Sequence, residues 1–322
     1  MTRRGVLRVV LAVGLLAAVG FTLPARSTAQ AKLQVAVFLP AAGDPYFKLK
    51  SCGYFAGGKK FGAGVTLFDA GGYGNLNRQV SQLEDVIQRK VNAIVLVPAS
   101  SVGTVPAVEK AVDAGIVVVN DGIATKSPKV TGFVGENSYL MGQLEAVYMA
   151  DALGGRGKVV MLSGPSGLDL TIFRVNGFKD YMKYYPEIKI VAEKFSGTAS
   201  AEALNIMQDY LQSFPDVRGV YTFNGPIAIG AVQALRAAGK KPGQVIVTTL
   251  DLEDETKRLI QEGWVGMTAI SQPVQMAALA VEMAVRAVKG EKIPAETLTQ
   301  STMVTKSTLS TVDLSGQTCP KP

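Results

Sequence analysis

The chain has no histidine and only two cysteines, Cys52 and Cys319, among its 322 residues. The first absence excludes histidine acid–base catalysis and histidine-ligated metals, and the second excludes four-thiolate zinc sites. Dinucleotide-binding fingerprints of the Gly-x-Gly-x-x-Gly type, Gly-x-Ser-x-Gly elbows and Cys-x-x-Cys pairs do not occur either. Gly53 to Lys59 has the spacing of a phosphate-binding loop, but Lys60 stands where Ser or Thr is required and the segment reads as helix. No cofactor is expected. Charged residues are 18% of the chain and the formal charge is +7, but Arg3, Arg4, Arg8 and Arg26 lie in an N-terminal stretch without acids. Beyond it 29 basic residues face 26 acidic ones, too even a balance for a nucleic-acid footprint.

What is present is ordinary globular composition, 48% hydrophobic, at a length that suits two domains. Residues 1–31 have the shape of a secretory signal: a basic start, an apolar run from Val9 to Leu23, then small residues ending in Ala29-Gln30-Ala31. At ~1.5 Å per residue that run is about 22 Å long, short of the ~30 Å a spanning helix must cross. Cleavage after Ala31 is expected, by the general route or by the twin-arginine route that Arg3-Arg4 resembles. The mature chain is then expected to be soluble outside the cytoplasm. In such a compartment Cys52 and Cys319 can close a bridge; the competing reading is a buried helical Cys52 and a Cys319 in a frayed tail.

From Leu33 onward short β-branched runs alternate with segments of helical period, the pattern of βαβ units and a parallel sheet. Strands are expected near 34–39, 65–68, 93–97 and 117–120, then near 159–162, 188–191, 219–222 and 245–250. They fall into two sets, each with continuous Val/Ile/Leu runs as in strands covered on both faces. Helices are expected at 76–89, 138–153, 169–184, 201–214, 227–238 and 274–289. The fold class is therefore α/β, two doubly wound parallel-sheet lobes. Gly132–Asn137 is read as the first crossing between them. Ser307 to Pro322 is read as a polar surface extension.

In open α/β sheets a ligand binds beyond the carboxyl ends of the strands. The residues there are Asp44, Tyr46 and Phe47 after the first strand, Asp121 after the fourth, then Asn224, Asp251 and Gln272, with Arg174 on the helix after the fifth. Asp, Asn, Gln and Arg offer paired donors or acceptors suited to neighbouring hydroxyls, and Tyr46 and Phe47 can cover a ring face. Duller readings stand beside this one: Asp44-Pro45 and Asp251 as helix caps, Arg174 as a solvated charge, Asn224-Gly225 as a turn.

With these landmarks, Asn77-Arg78-Gln79, Ala93 to Ala99, Ala114 to Asn120, Phe223-Asn224-Gly225 and Leu250-Asp251, residues 33–306 resemble the ribose/galactose class of periplasmic solute-binding proteins. The resemblance implies two lobes joined by three hinge crossings. The N-terminal lobe would be 32–135 plus 273–300 and the C-terminal lobe 136–272 plus 301–322. It further implies a sugar ring between Tyr46 and Phe47, with Asp121, Arg174, Asn224, Asp251 and Gln272 fixing its hydroxyls. Three departures point away from ribose itself: Asp44 where the family has Asn, Gly122 where it has Arg, and Thr198 where it often has an aromatic.

The resemblance implies a monomeric, non-enzymatic binder that captures a small sugar or polyol and delivers it to the membrane permease of an ABC importer. Nucleic acid is not an expected partner. The loop Gly71 to Leu76 is also similar to that of trimethylamine-N-oxide-type sensors, which present a ligand to a membrane histidine kinase. A secreted glycan hydrolase, for which carboxylates suffice, is the rival from another class.

Overall fold

A computed structural model describes residues 32–319; the expected leader and its cleavage site lie outside them. The first sheet is built from β1 (Leu33–Leu39), α1 (Pro45–Phe61), β2 (Ala63–Asp69), α2 (Leu76–Gln88), β3 (Ala93–Leu96), α3 (Val105–Asp113), β4 (Val117–Asp121) and β5 (Gly132–Glu136). The second follows as α4 (Ser138–Ala152), β6 (Arg156–Gly164), α5 (Asp169–Met182), β7 (Glu187–Phe195), α6 (Ser200–Ser213), β8 (Val217–Thr222), α7 (Gly225–Ala237), β9 (Ile246–Leu250), α8 (Asp254–Glu262) and β10 (Val265–Ile270). The chain ends with α9 (Pro273–Val288), β11 (Glu296–Thr299) and β12 (Thr302–Thr305).

Strand order is β11-β5-β4-β3-β1-β2 in one sheet and β12-β10-β9-β8-β6-β7 in the other. Every pairing is parallel except that of β12 with β10. Each sheet forms one α/β lobe. The chain passes from one lobe to the other after β5, after β10 and between β11 and β12. Central strands such as Ala93–Leu96 are buried throughout, which is why their sequence runs without alternation. The short helices α3 and α8 and the edge strand β11 were not expected from the sequence. Each has only nine or four residues, too few for a clear period.

Two local features aim α1 at the space between the lobes. Asp44 accepts a hydrogen bond from the Tyr46 N–H at 2.9 Å with Pro45 in the first turn, so the helix starts at the carboxyl end of β1. Its back packs closely on α9, because a Cβ on Gly53 would fall 2.2 Å from the Val274 carbonyl oxygen.

The tail is not a loose surface extension. Leu309, Val312 and Leu314 pack on the core, and the Gln317 side-chain amide donates to the Ser271 carbonyl at 2.9 Å. Cys319 then pairs with Cys52 on α1, Cα to Cα 5.6 Å. The end of the tail therefore lies against helices of the first lobe, whereas the expected boundaries left all of 301–322 with the second. Its position follows from the bridge, which selects the paired reading of the two cysteines.

Purified mature protein, unfolded in denaturant, is expected to show two titratable thiols only after reduction. Cys319→Ser should lower the unfolding free energy by about 2–5 kcal/mol, the range for native bridges. Two free thiols before reduction would contradict the pairing.

Candidate functional site

A cleft lined from both lobes opens between the carboxyl ends of the two sheets, the place where open α/β sheets bind small molecules. Asp44, Tyr46, Phe47, Asp121, Arg174, Asn224 and Asp251 all line it. Gln272 does not. Its side chain turns to the tail, where a Cβ on Gly316 would meet it at 1.8 Å, so the packing of the tail draws it out of the site. Lys50, Tyr73 and Glu136, which were not expected as site residues, line the cleft too.

The first lobe contributes a buried ion pair. Lys50 Nζ lies 2.6 Å from Asp121 Oδ1 with both side chains out of solvent, and the Tyr54 hydroxyl donates to Asp121 Oδ2. Phe47, Lys50 and Tyr54 are all buried on α1, at a three- and four-residue spacing that puts them on one face. A second buried pair joins the lobes: Arg174 Nη2 on α5 donates to Glu136 Oε1 at the end of β5, 2.9 Å away. The Arg174 guanidinium lies 4.9 Å from the Phe223 ring centroid. Burial disfavours its charge, yet Glu136 and Asp251 nearby outweigh this and leave its pKa raised. It is therefore no solvated surface charge.

Asp44 and Asn224 serve twice. Asp44 caps α1, and Asn224 accepts from the Ile227 N–H at 3.2 Å to cap α7, while both also face the cleft. Asp251 caps nothing; Glu253 occupies the cap position of α8. Asp251 adopts φ 71°, the left-handed region that few non-glycine residues other than Asn and Asp enter readily. The turn is held by the Asp251 N–H on the Ala269 carbonyl and by the Thr268 hydroxyl on the Asp251 carbonyl. Burial and then the neighbouring Glu253 push the Asp251 carboxyl well above its ordinary range. Burial, with Asp44 adding, pushes Glu253 up to about 7.

Two polar atoms in the cleft lack a protein partner among the described residues: Glu136 Oε2, an acceptor, and Arg174 Nε, a donor. Both side chains are more than nine-tenths buried. Tyr46 and Phe47 meet edge to face, ring centroids 5.5 Å apart, so they form one wall and leave no room for the sugar ring expected between them; Tyr73 extends that wall. At one lip the lobes touch: the Asp169 N–H donates to Ser101 Oγ at 3.2 Å, and Lys126 Nζ lies 2.6 Å from the Asp169 carboxylate. The arrangement can hold a small molecule from both sides and match several hydroxyls at once.

A family model described as a periplasmic binding protein domain matches residues 35–292. The chain is 32% identical to the xylitol-binding protein of Mycolicibacterium smegmatis, over 72% of this chain and 66% of that one. It therefore spans just under two thirds of that relative's length. It is 31% identical to a D-apiose import binding protein of Paraburkholderia graminis, over 93% and 96% of the two chains. Among solved structures, a carbohydrate transporter solute-binding protein from Agrobacterium radiobacter in complex with D-arabinose superposes with a TM-score of 0.84 at 26% identity, covering 88% and 97% of the chains.

Arg174→Ala should weaken ligand binding about tenfold or more, because it leaves buried acceptors unpaired. Calorimetry showing unchanged affinity would remove Arg174 from the site. A separate outcome concerns pH. The folded protein keeps a proton on Glu253 up to about pH 7, whereas the unfolded chain releases it near 4.5. That contribution to stability is full below the lower value and lost as pH rises through the upper one. Glu253→Gln should flatten the fall in melting temperature between about pH 4.5 and 7; an unchanged slope would clear Glu253 of the effect.

Proposed function

The chain belongs to the periplasmic binding protein domain family, and on that footing we propose that it captures one small uncharged polyhydroxylated solute, a sugar or polyol, between its lobes. It hands the solute to the membrane permease of an ABC importer. The mature protein is exported and its leader removed after Ala31. The relatives named above bind xylitol and D-apiose or serve its import, and they give the sensor and hydrolase readings no support.

The observation that carries the reading is the set of donors and acceptors converging from both lobes on one cleft. Arg174 and Asn224 come from the second lobe and Asp44 and Glu136 from the first. A solute touched by both lobes stabilises the closed arrangement by its differential affinity for it, and no covalent chemistry is required. The aromatic wall of Tyr46, Phe47 and Tyr73 suits the apolar face of a sugar. Asp44, Gly122 and Thr198 set this cleft apart from that of a ribose binder, so the preferred solute is a different pentose, a hexose or a polyol.

A thermal-shift screen of the mature protein against pentoses, hexoses, polyols and small amines tests this. A solute that binds only the native form raises its melting temperature. A rise with a sugar or polyol, the compound being recovered unchanged, is expected. A rise confined to amines, or conversion of the compound, would overturn the reading.

A further inference from the structure

The Lys50 ammonium is completely buried, and its hydrogen bonding is incomplete. An ammonium carries three N–H donors. Among the described residues Lys50 Nζ has one hydrogen-bond partner, Asp121 Oδ1. The Tyr54 hydroxyl is engaged with the other oxygen of the same carboxylate. On one side Nζ lies 5.4 Å from the Tyr46 ring centroid, which balances charge through the ring face and accepts no strong hydrogen bond. Nζ lies beside the turn that follows β4: a Cβ on Gly122 would be in ordinary contact with it, at 3.4 Å. Lys50, Asp121, Gly122 and Tyr46 all line the cleft.

A buried ammonium with donors left over is costly unless something accepts from them. We propose that Lys50 is a ligand-contacting, specificity-determining residue: its ammonium reaches past the end of β4 and donates to one or two oxygens of the bound sugar or polyol. This deepens the function proposed above and rests on it. The chemistry is selective. An oxygen at that position, hydroxyl or carbonyl, satisfies the donors. A methylene there leaves them unpaired, and an amino group brings a second positive charge against the first. Lys50 also differs from Arg174 in kind, since an ammonium is a compact point donor whereas a guanidinium is a planar fork. It therefore reads a single position on the solute rather than an adjacent pair.

The test uses the mature protein with xylitol, D-arabinose, D-apiose and D-ribose as probes, and takes the tightest of the four with its monodeoxy and monoamino counterparts. Wild type and Lys50→Met are compared by calorimetry, with melting curves to establish folding. Lys50→Met is expected to weaken the parent compound tenfold or more. One deoxy isomer should already bind wild type that much more weakly and lose nothing further in the variant, the signature of a shared contact. If Lys50→Met does not fold because Asp121 is left alone, the double variant Lys50→Met with Asp121→Asn is compared with Asp121→Asn alone, so that the loss due to Lys50 is read apart from that due to Asp121. Equal losses for every member of the series would assign Lys50 a structural role, and unchanged affinity would exclude it from the site. If all four probes fail to bind wild type, the same comparison is made with the sugar or polyol that the thermal-shift screen selects; failure of every sugar and polyol in that screen would overturn the sugar reading itself, and this assignment with it.

Discussion

Charges withdrawn from water must answer one another, and in this protein that requirement organises the cleft. Asp121 and Glu136 are both buried, and each meets a cation from a different element, Lys50 from α1 and Arg174 from α5. Removing one partner of such a pair typically costs about 3–5 kcal/mol, because the other is stranded in a low dielectric. The two pairs therefore fix the rotamers of four cleft residues, which lowers the cost of ordering them on binding. What the pairs leave unmatched is what a solute can meet. A neutral molecule rich in hydroxyls is suited to that, since each hydroxyl both donates and accepts.

Two of the ion pairs between the lobes differ in strength. Lys126 and Asp169 meet at a lip where the lysine side chain is 56% exposed, and ion pairs in such settings contribute about 0–1 kcal/mol. Glu136 and Arg174 meet near the first crossing, where their side chains are out of solvent. The firm contact thus sits close to a hinge and the soft one at the mouth. Such a distribution lets the mouth part without breaking the pair that anchors the crossing, and it leaves closure to be decided by the solute.

Much of the fold was legible because parallel strands covered on both faces write themselves as uninterrupted apolar runs. The positions after those runs led to Asp44, Asp121, Asn224 and Asp251, all in the cleft. Lys50 was not found, since a lysine on a helix reads as a solvated charge. The one available signal was its place three residues after Phe47 and four before Tyr54, on the stripe that packs inward. Glu136 closes a strand of only five residues that was read for its role as a crossing. Gln272 shows the opposite limit: its backbone position is where a cleft residue belongs, but its side chain is set by Gly316, a neighbour distant in sequence. Contacts of that range leave no local pattern.

The bridge between Cys52 and Cys319 closes 267 residues of chain into a single covalent loop that includes almost everything between the start of α1 and the end of the tail. All three crossings lie inside that loop. A protease that severs any one exposed turn between them produces a nicked molecule, not two fragments, and both lobes stay tethered at either side of the cut. A cut of this kind therefore leaves both halves of the cleft on one covalent frame.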